Sequence, residues 1–140
     1  MDDPQHPLAR HVDQYRIRDA IGAAEQTTSG KIYVTISPHF WGNVHGGARR
    51  AFALLRRAHP MDESGILFFV VPSRRELRVL GGGGINEKVG QQFWEEVAQE
   101  VAQRARDRDL TAGLVHGIAR AGDALTEHYP RKPGGGELGS

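Results

Sequence analysis

Two neighbouring carboxylates, Asp62 and Glu63, and a run of four glycines, Gly81, Gly82, Gly83 and Gly84, are the residues of this chain best suited to chemistry. An Asp-Glu pair can present oxygens to a divalent cation or act as a general base. Consecutive glycines ahead of a helical pattern can bring backbone N–H groups against an anion. Each signal has a plainer counterpart. Acidic pairs are common in solvated turns. The glycine run does not fit G-x-G-x-x-G, because Asn86 or Glu87 falls where the third glycine belongs. It does not fit a Walker loop, because Lys88 lacks the preceding Gly and following Ser or Thr. A flexible connection from sheet to helix, free to take positive φ, accounts for the glycines as well.

Other chemical residues are scattered. His39, His45 and His59 share no helical face and come with no carboxylate motif, so a surface-loop reading outweighs metal ligation. Phe40 and Trp41 sit in the same loop as candidates for partner contact, with packing onto the sheet edge as the alternative. Arg49, Arg50, Arg56 and Arg57 read as the wet face of an amphipathic helix. No aromatics are interleaved among them for base stacking, and no nucleic acid is expected. No Ser-His-Asp set and no G-x-S-x-G is present.

The elements that would position these residues follow from periodicity. Ile17, Ala20, Ile21 and Ala24 mark a first helix, stopped by Thr27-Thr28-Ser29-Gly30 with Gly30 suited to a left-handed position. Ile32, Val34 and Ile36 alternate as a first strand. The loop Ser37 to Gly47 leads to a second helix with Ala48, Ala51, Phe52 and Leu55 inward. Ile66 to Val71 is unbroken apolar sequence bounded by Ser64-Gly65 and Pro72-Ser73, a strand buried on both faces. Only Pro72 to Arg75 separates it from the alternating Glu76 to Leu80, which predicts an antiparallel hairpin. Asn86 caps a short turn ended by Gly90. Helices follow over about Gln91 to Arg106 and, from an N-cap at Thr111, over Ala112 to His128.

Strand, helix, strand, hairpin and helices make an α/β fold of three layers, α/β/α. Its central mixed sheet has two parallel strands and an antiparallel third. That topology brings Gly81–Gly84, Asp62–Gly65 and Ser29–Gly30 to one edge of the sheet and the His39-Phe40-Trp41 loop to the other. The expected organisation is a loose arm over residues 1–11, one domain over 12–130 and a disordered tail over 131–140.

Composition narrows the classes. With 18 basic and 17 acidic residues in 140, charge supplies no general attraction to polyanions. Without cysteine, disulfides, thiolate catalysis and Cys-ligated zinc are excluded. No apolar run approaches the roughly 20 residues of a membrane span, so no membrane insertion is expected. The polar, acidic opening is unlike a secretory signal, and a cytoplasmic location is expected.

Several stretches, in order and at the right spacing, resemble the TPM domain family. Thr28-Ser29-Gly30-Lys31-Ile32 resembles the family's T-S-G-E-I, and Ser64-Gly65-Ile66-Leu67 its N-G-V-L. Gly81-x-x-Gly84-Ile85-x-x-x-Val89-x-x-x-Phe93-Trp94 resembles G-D-x-G-I-x-x-x-V-x-x-x-F-W. Leu110, Gly113-Leu114 and Gly122-Asp123-Ala124-Leu125 resemble its closing helix. The resemblance implies a central mixed sheet flanked by helices. Some members are associated with acid phosphatase activity, photosystem maintenance or divalent cation binding, and most bacterial members have no assigned function. It also implies a cation edge, for Ca or Mg, on the loops before the second strand and after the third. Carried over, those positions are Glu63, with Asp62 beside it, and Gly82; Glu87 is the next nearby carboxylate. Here Gly82 replaces a frequent Asp and Ser64 a usual Asn, which removes a ligand. Two functions follow as expectations: a non-catalytic module that binds a protein partner, with a weak cation site, and a metal-assisted phosphatase of phosphomonoesters.

Overall fold

The structure is a computed structural model that describes residues 12–38, 40–58 and 63–131. His39, His59 and Asp62 lie outside the described residues, as do the arm expected at 1–11 and the tail beyond Arg131.

Helix α1, Gln14–Glu25, starts at Asp13, whose carboxylate accepts from the amides of Tyr15 and Arg16. It is followed by β1, Lys31–Ile36, and α2, Val44–Ala58. The hairpin is β2, Gly65–Val71, a 3₁₀ turn at Pro72–Arg74, and β3, Glu76–Gly81. Arg75 closes the turn at φ 55°, in the left-handed region. Three helices complete the chain: α3, Gly83–Val89; α4, Gln91–Asp107; and α5, Leu110–His128. The sheet has the order β1-β2-β3, with β1 and β2 parallel and β2 and β3 antiparallel. This is the expected α/β arrangement.

β2 organises the core because all seven of its residues are buried. Alternate side chains leave opposite faces of a strand. Ile66, Phe68 and Val70 enter the main core with Trp94, Val97, Val101, Leu114 and Ile118. Leu67, Phe69 and Val71 meet Val44, Ala48 and Phe52 of α2. Helices therefore cover both faces, α2 on one and the remaining helices on the other.

Some boundaries differ from the sequence reading. α2 starts at Val44 rather than after Gly47, because Asn43 Oδ1 accepts the Gly46 amide at 2.8 Å. Gly46 and Gly47 are helical, and His45 is on the helix rather than in a loop. Gly30 is not left-handed; Gly42 and Gly90 are the described glycines with positive φ. Gly30 is glycine for want of space: a Cβ there would lie 2.7 Å from Leu125 and 2.8 Å from the Ser64 carbonyl. Thr111 does not cap α5. Asp109 does, accepting the Ala112 amide at 2.8 Å, while the buried Thr111 hydroxyl accepts the Asp13 amide at 2.9 Å. Arg131, expected in the tail, donates its amide to Thr27 O, and its guanidinium to Glu25 O.

The Thr28 side chain closes the fold. It is fully buried, donates to Tyr129 O at 2.5 Å and accepts from the Gly30 amide at 3.0 Å. Thr28→Val keeps the shape but strands that buried amide, so it is expected to cost about 1–3 kcal/mol in chemical denaturation. A loss below 0.5 kcal/mol would show that solvent replaces the hydroxyl.

Between α4 and α5, Glu100 accepts from His116 Nε2 at 2.7 Å and from Arg120 Nε at 3.0 Å. Arg120 also lies over the Phe93 ring. Hydrogen bonding from Arg120, then from His116, holds the Glu100 carboxyl below its ordinary value of 4.5. A depressed folded value contributes stability above the unfolded value, and this is lost as pH falls through the folded one. The group is partly exposed, so the effect is at most about 1 kcal/mol. Glu100→Gln is expected to flatten the stability profile below pH 4.5, read by urea denaturation at stepped pH.

Candidate functional site

Three chain segments meet at one edge of the sheet. The Lys31 amide donates to Ser64 O at 3.3 Å, the Gly82 amide to Gly65 O at 2.9 Å, and the Ile85 amide to Glu63 O at 3.1 Å. The starts of β1 and β2 and the exit of β3 are thus tied together. The Phe40–Trp41 segment lies at the opposite edge, where the Arg74 guanidinium bonds Gly42 O.

The glycine run is not a free loop. Gly81 is the last residue of β3, paired with Ile66, and Gly83 and Gly84 form the first turn of α3. None of the four has positive φ. Crowding explains the residue type. A Cβ on Gly81 would lie 2.7 Å from Trp94 Nε1, and one on Gly82 would lie 2.6 Å from Glu63 O. On Gly83 it would stand 2.9 Å from the Glu63 carboxylate, and on Gly84 it would meet the Tyr129 hydroxyl and Glu63 Cβ. The glycines let the Glu63 turn press against the chain leaving β3. Glu63 itself is exposed.

Glu87 is exposed on α3. Among the described residues no three His, Asp or Glu side chains gather as a metal-ligand group. With Gly82 bare, the described edge offers the Glu63 carboxylate and main-chain carbonyls, one of which already accepts from Ile85. A hard cation wants six or more oxygens, so this donor set fits Ca or Mg poorly. Asn86 is not a cap either: its Oδ1 accepts from Trp94 Nε1 at 2.6 Å. The left-handed Gly90, φ 85°, separates α3 from α4.

Phe40 and Trp41 part company. The Phe40 ring lies edge-on to Phe69 at 5.5 Å and covers Gly47, where a Cβ would collide with it. Trp41 is 88% exposed.

The arginines of α2 and the glycine run, far apart in sequence pattern, line one cleft. His45, Arg49, Phe52 and Arg56 form one wall of a cleft of about 530 Å³, and Leu80 to Gly83 form the opposite wall. Glu63 does not line it. Positions 45, 49, 52 and 56 share a helical stripe, and a right-handed crossover fixes the face of the sheet that helix covers; its packing on β3 as well as β2 is set by tertiary contacts.

A three-stranded mixed sheet with helices on both faces, and three loops tied at one edge, defines an α/β domain of the kind the motifs resembled. The family model for the TPM domain matches residues 3–124, and the chain belongs to that family. Among solved structures it is similar to the BA42 protein of the psychrophilic bacterium Bizionia argentinensis. The identity is 28% and the TM-score 0.77, over 88% of this chain and 87% of that one. It also shares its fold with the N-terminal domain of the cg2496 protein of Corynebacterium glutamicum, at 14% identity and TM-score 0.61, over 79% and 70% of the two chains. No curated protein matches the chain. No helix among the described residues is long and apolar enough to cross a membrane.

Proposed function

We propose that this TPM domain is a cytoplasmic, non-catalytic binding module whose affinity for a divalent cation at the Glu63–Gly82 edge is weak. The supporting observation is the close seat of Gly82 on the Glu63 backbone, which fills the place where a second carboxylate would stand. One described acidic side chain with carbonyls gives a site in or above the millimolar range, as for the weakest Ca²⁺ modules. Metal-assisted hydrolysis asks more of a site: ligands that fix the ion and leave a position for water.

The decisive experiment is turnover of para-nitrophenyl phosphate by the purified chain with Ca²⁺, Mg²⁺ or EDTA. The expected result is no cation-dependent turnover. Turnover that Glu63→Ala abolishes would overturn the module reading in favour of a phosphatase. A Ca²⁺ titration followed by amide shifts tests the edge separately. Weak, saturable shifts are expected at residues 63–65 and 81–87, and silence there would remove the cation.

A further inference from the structure

Two clefts beside β3 form one groove. The cleft between α2 and Leu80–Gly83 shares His45 and Gln91 with a second, of about 460 Å³, that runs along Arg75–Val79 beside α4. The strand common to both is β3, which among the described residues pairs with β2 alone. An unpaired strand edge presents N–H and C=O groups to an incoming chain. The six residues of β3 match about 20 Å of extended backbone.

The walls are basic. His45, Arg49, Arg56, Arg75 and Arg78 line the groove against two carboxylates, Glu76 and Glu95. Glu76 is already held by Arg74 at 3.2 Å. Among the described residues neither Arg49 nor Arg56 has an ion-pair partner, although the whole chain carries a net charge of only +1. Seven helical positions separate the two, about 10 Å along the axis, between the roughly 7 and 13 Å that part same-face residues two and four positions apart in an extended strand. A single small anion would not span them. Nucleic acid fits poorly, because the aromatic rings in the lining, Phe52 and Trp94, are buried and offer no stacking face.

We propose that this groove binds an extended acidic segment of a partner protein, added as a fourth strand along β3 with its carboxylates against Arg49 and Arg56. The inference rests on the module reading and names the chemistry of the partner. Main-chain pairing supplies the affinity and the arginines the selection, the usual division of labour in strand addition.

The test is an amide-shift titration of the full chain in EDTA with a ten-residue peptide alternating Glu and Val. Shifts are expected over residues 76–81 and 45–56, with slower amide exchange in β3. Arg49→Glu with Arg56→Glu should weaken binding at least tenfold, and the milder Arg49→Gln at least threefold. Arg104→Glu, on the exposed face of α4, should leave it unchanged. A peptide methylated on alternate backbone nitrogens should not bind. The proposal is overturned if the methylated peptide or a Lys-Val peptide binds equally well. It is also overturned if the arginine variants bind as the wild type does, or if inorganic phosphate or a single-stranded oligonucleotide displaces the acidic peptide. Failure here leaves the module reading to the turnover assay, which involves no peptide.

Discussion

Gly82→Asp is expected to lower the melting temperature in EDTA and to recover part of that loss in Ca²⁺. The Cβ it adds would sit 2.6 Å from Glu63 O and 2.9 Å from Glu63 C. Those are backbone atoms, so relief requires the turn before β2 to move. Overpacking of this kind costs about 2 kcal/mol, or roughly 6 °C for a domain of this size. The same substitution returns a carboxylate beside Glu63, and two carboxylates held together repel until a cation joins them. Ligand that binds only the folded state stabilises it, and at ten times Kd the gain is about 1.4 kcal/mol. The signature is therefore a variant less stable than wild type without Ca²⁺ and more responsive to it, read by thermal melts in both buffers. A melt that falls and stays down in Ca²⁺ would mean that the edge is no cation site even with its acid restored.

Trp94→Ala carries the largest expected loss of stability, about 3–5 kcal/mol in urea. The indole is fully buried in the main core, lies edge-on to Phe93 at 4.8 Å and donates to Asn86 Oδ1 at 2.6 Å. Its removal opens a cavity where β3, α3 and α4 meet and frees the chain at Gly81, whose shape is fitted to the indole nitrogen. Trp94→Phe separates the two contributions. It keeps most of the apolar volume but loses the donor, so about 1–3 kcal/mol is expected, from the unpartnered amide oxygen and the smaller ring. If Phe and Ala cost the same, the hydrogen bond rather than the packing holds this corner together. Gly81 to Gly83 form one wall of the α2 cleft, so the Ala variant should also weaken whatever that cleft binds.

The parts of the fold legible in the sequence were those fixed by local pattern. Ile66 to Val71 admits no polar residue and ends at Pro72, so a fully buried strand and a tight return follow from residue types alone. The parallel pairing of β1 and β2 follows from the helix between them. The meeting of three loops at one edge then follows from topology. What escaped depended on distant partners. At Gly30 and the four glycines the sequence suggests freedom of φ, but the cause is the approach of Leu125, Glu63, Trp94 and Tyr129, all remote in sequence. Thr111 has a cap's composition, but it is the second residue of a helix that starts at Leu110, with Asp109 immediately before it as the cap, and the Thr hydroxyl is engaged by Asp13 nearly a hundred residues away. At the candidate site Glu63 could be placed beside the glycine run from topology. The apposition of Arg49 and Arg56 to the same run is not legible in the sequence, because a helix's periodicity shows its wet face but not the strand it overlies.

Helix α5 bears glycines where its neighbours press closest. A Cβ on Gly113 would lie 2.5 Å from the Val101 carbonyl, on Gly117 2.5 Å from Val101 Cγ2, and on Gly122 2.7 Å from Ala24. Each notch is fitted to its own neighbour, so any side chain larger than hydrogen at these positions would push α5 off α4 or α1. That layer has a single seating and behaves as a keyed shaft. The opposite layer is a lone helix, α2, held by a much smaller apolar cluster. Local opening is therefore expected first on the side that carries the arginines, where fewer buried apolar residues hold the layer.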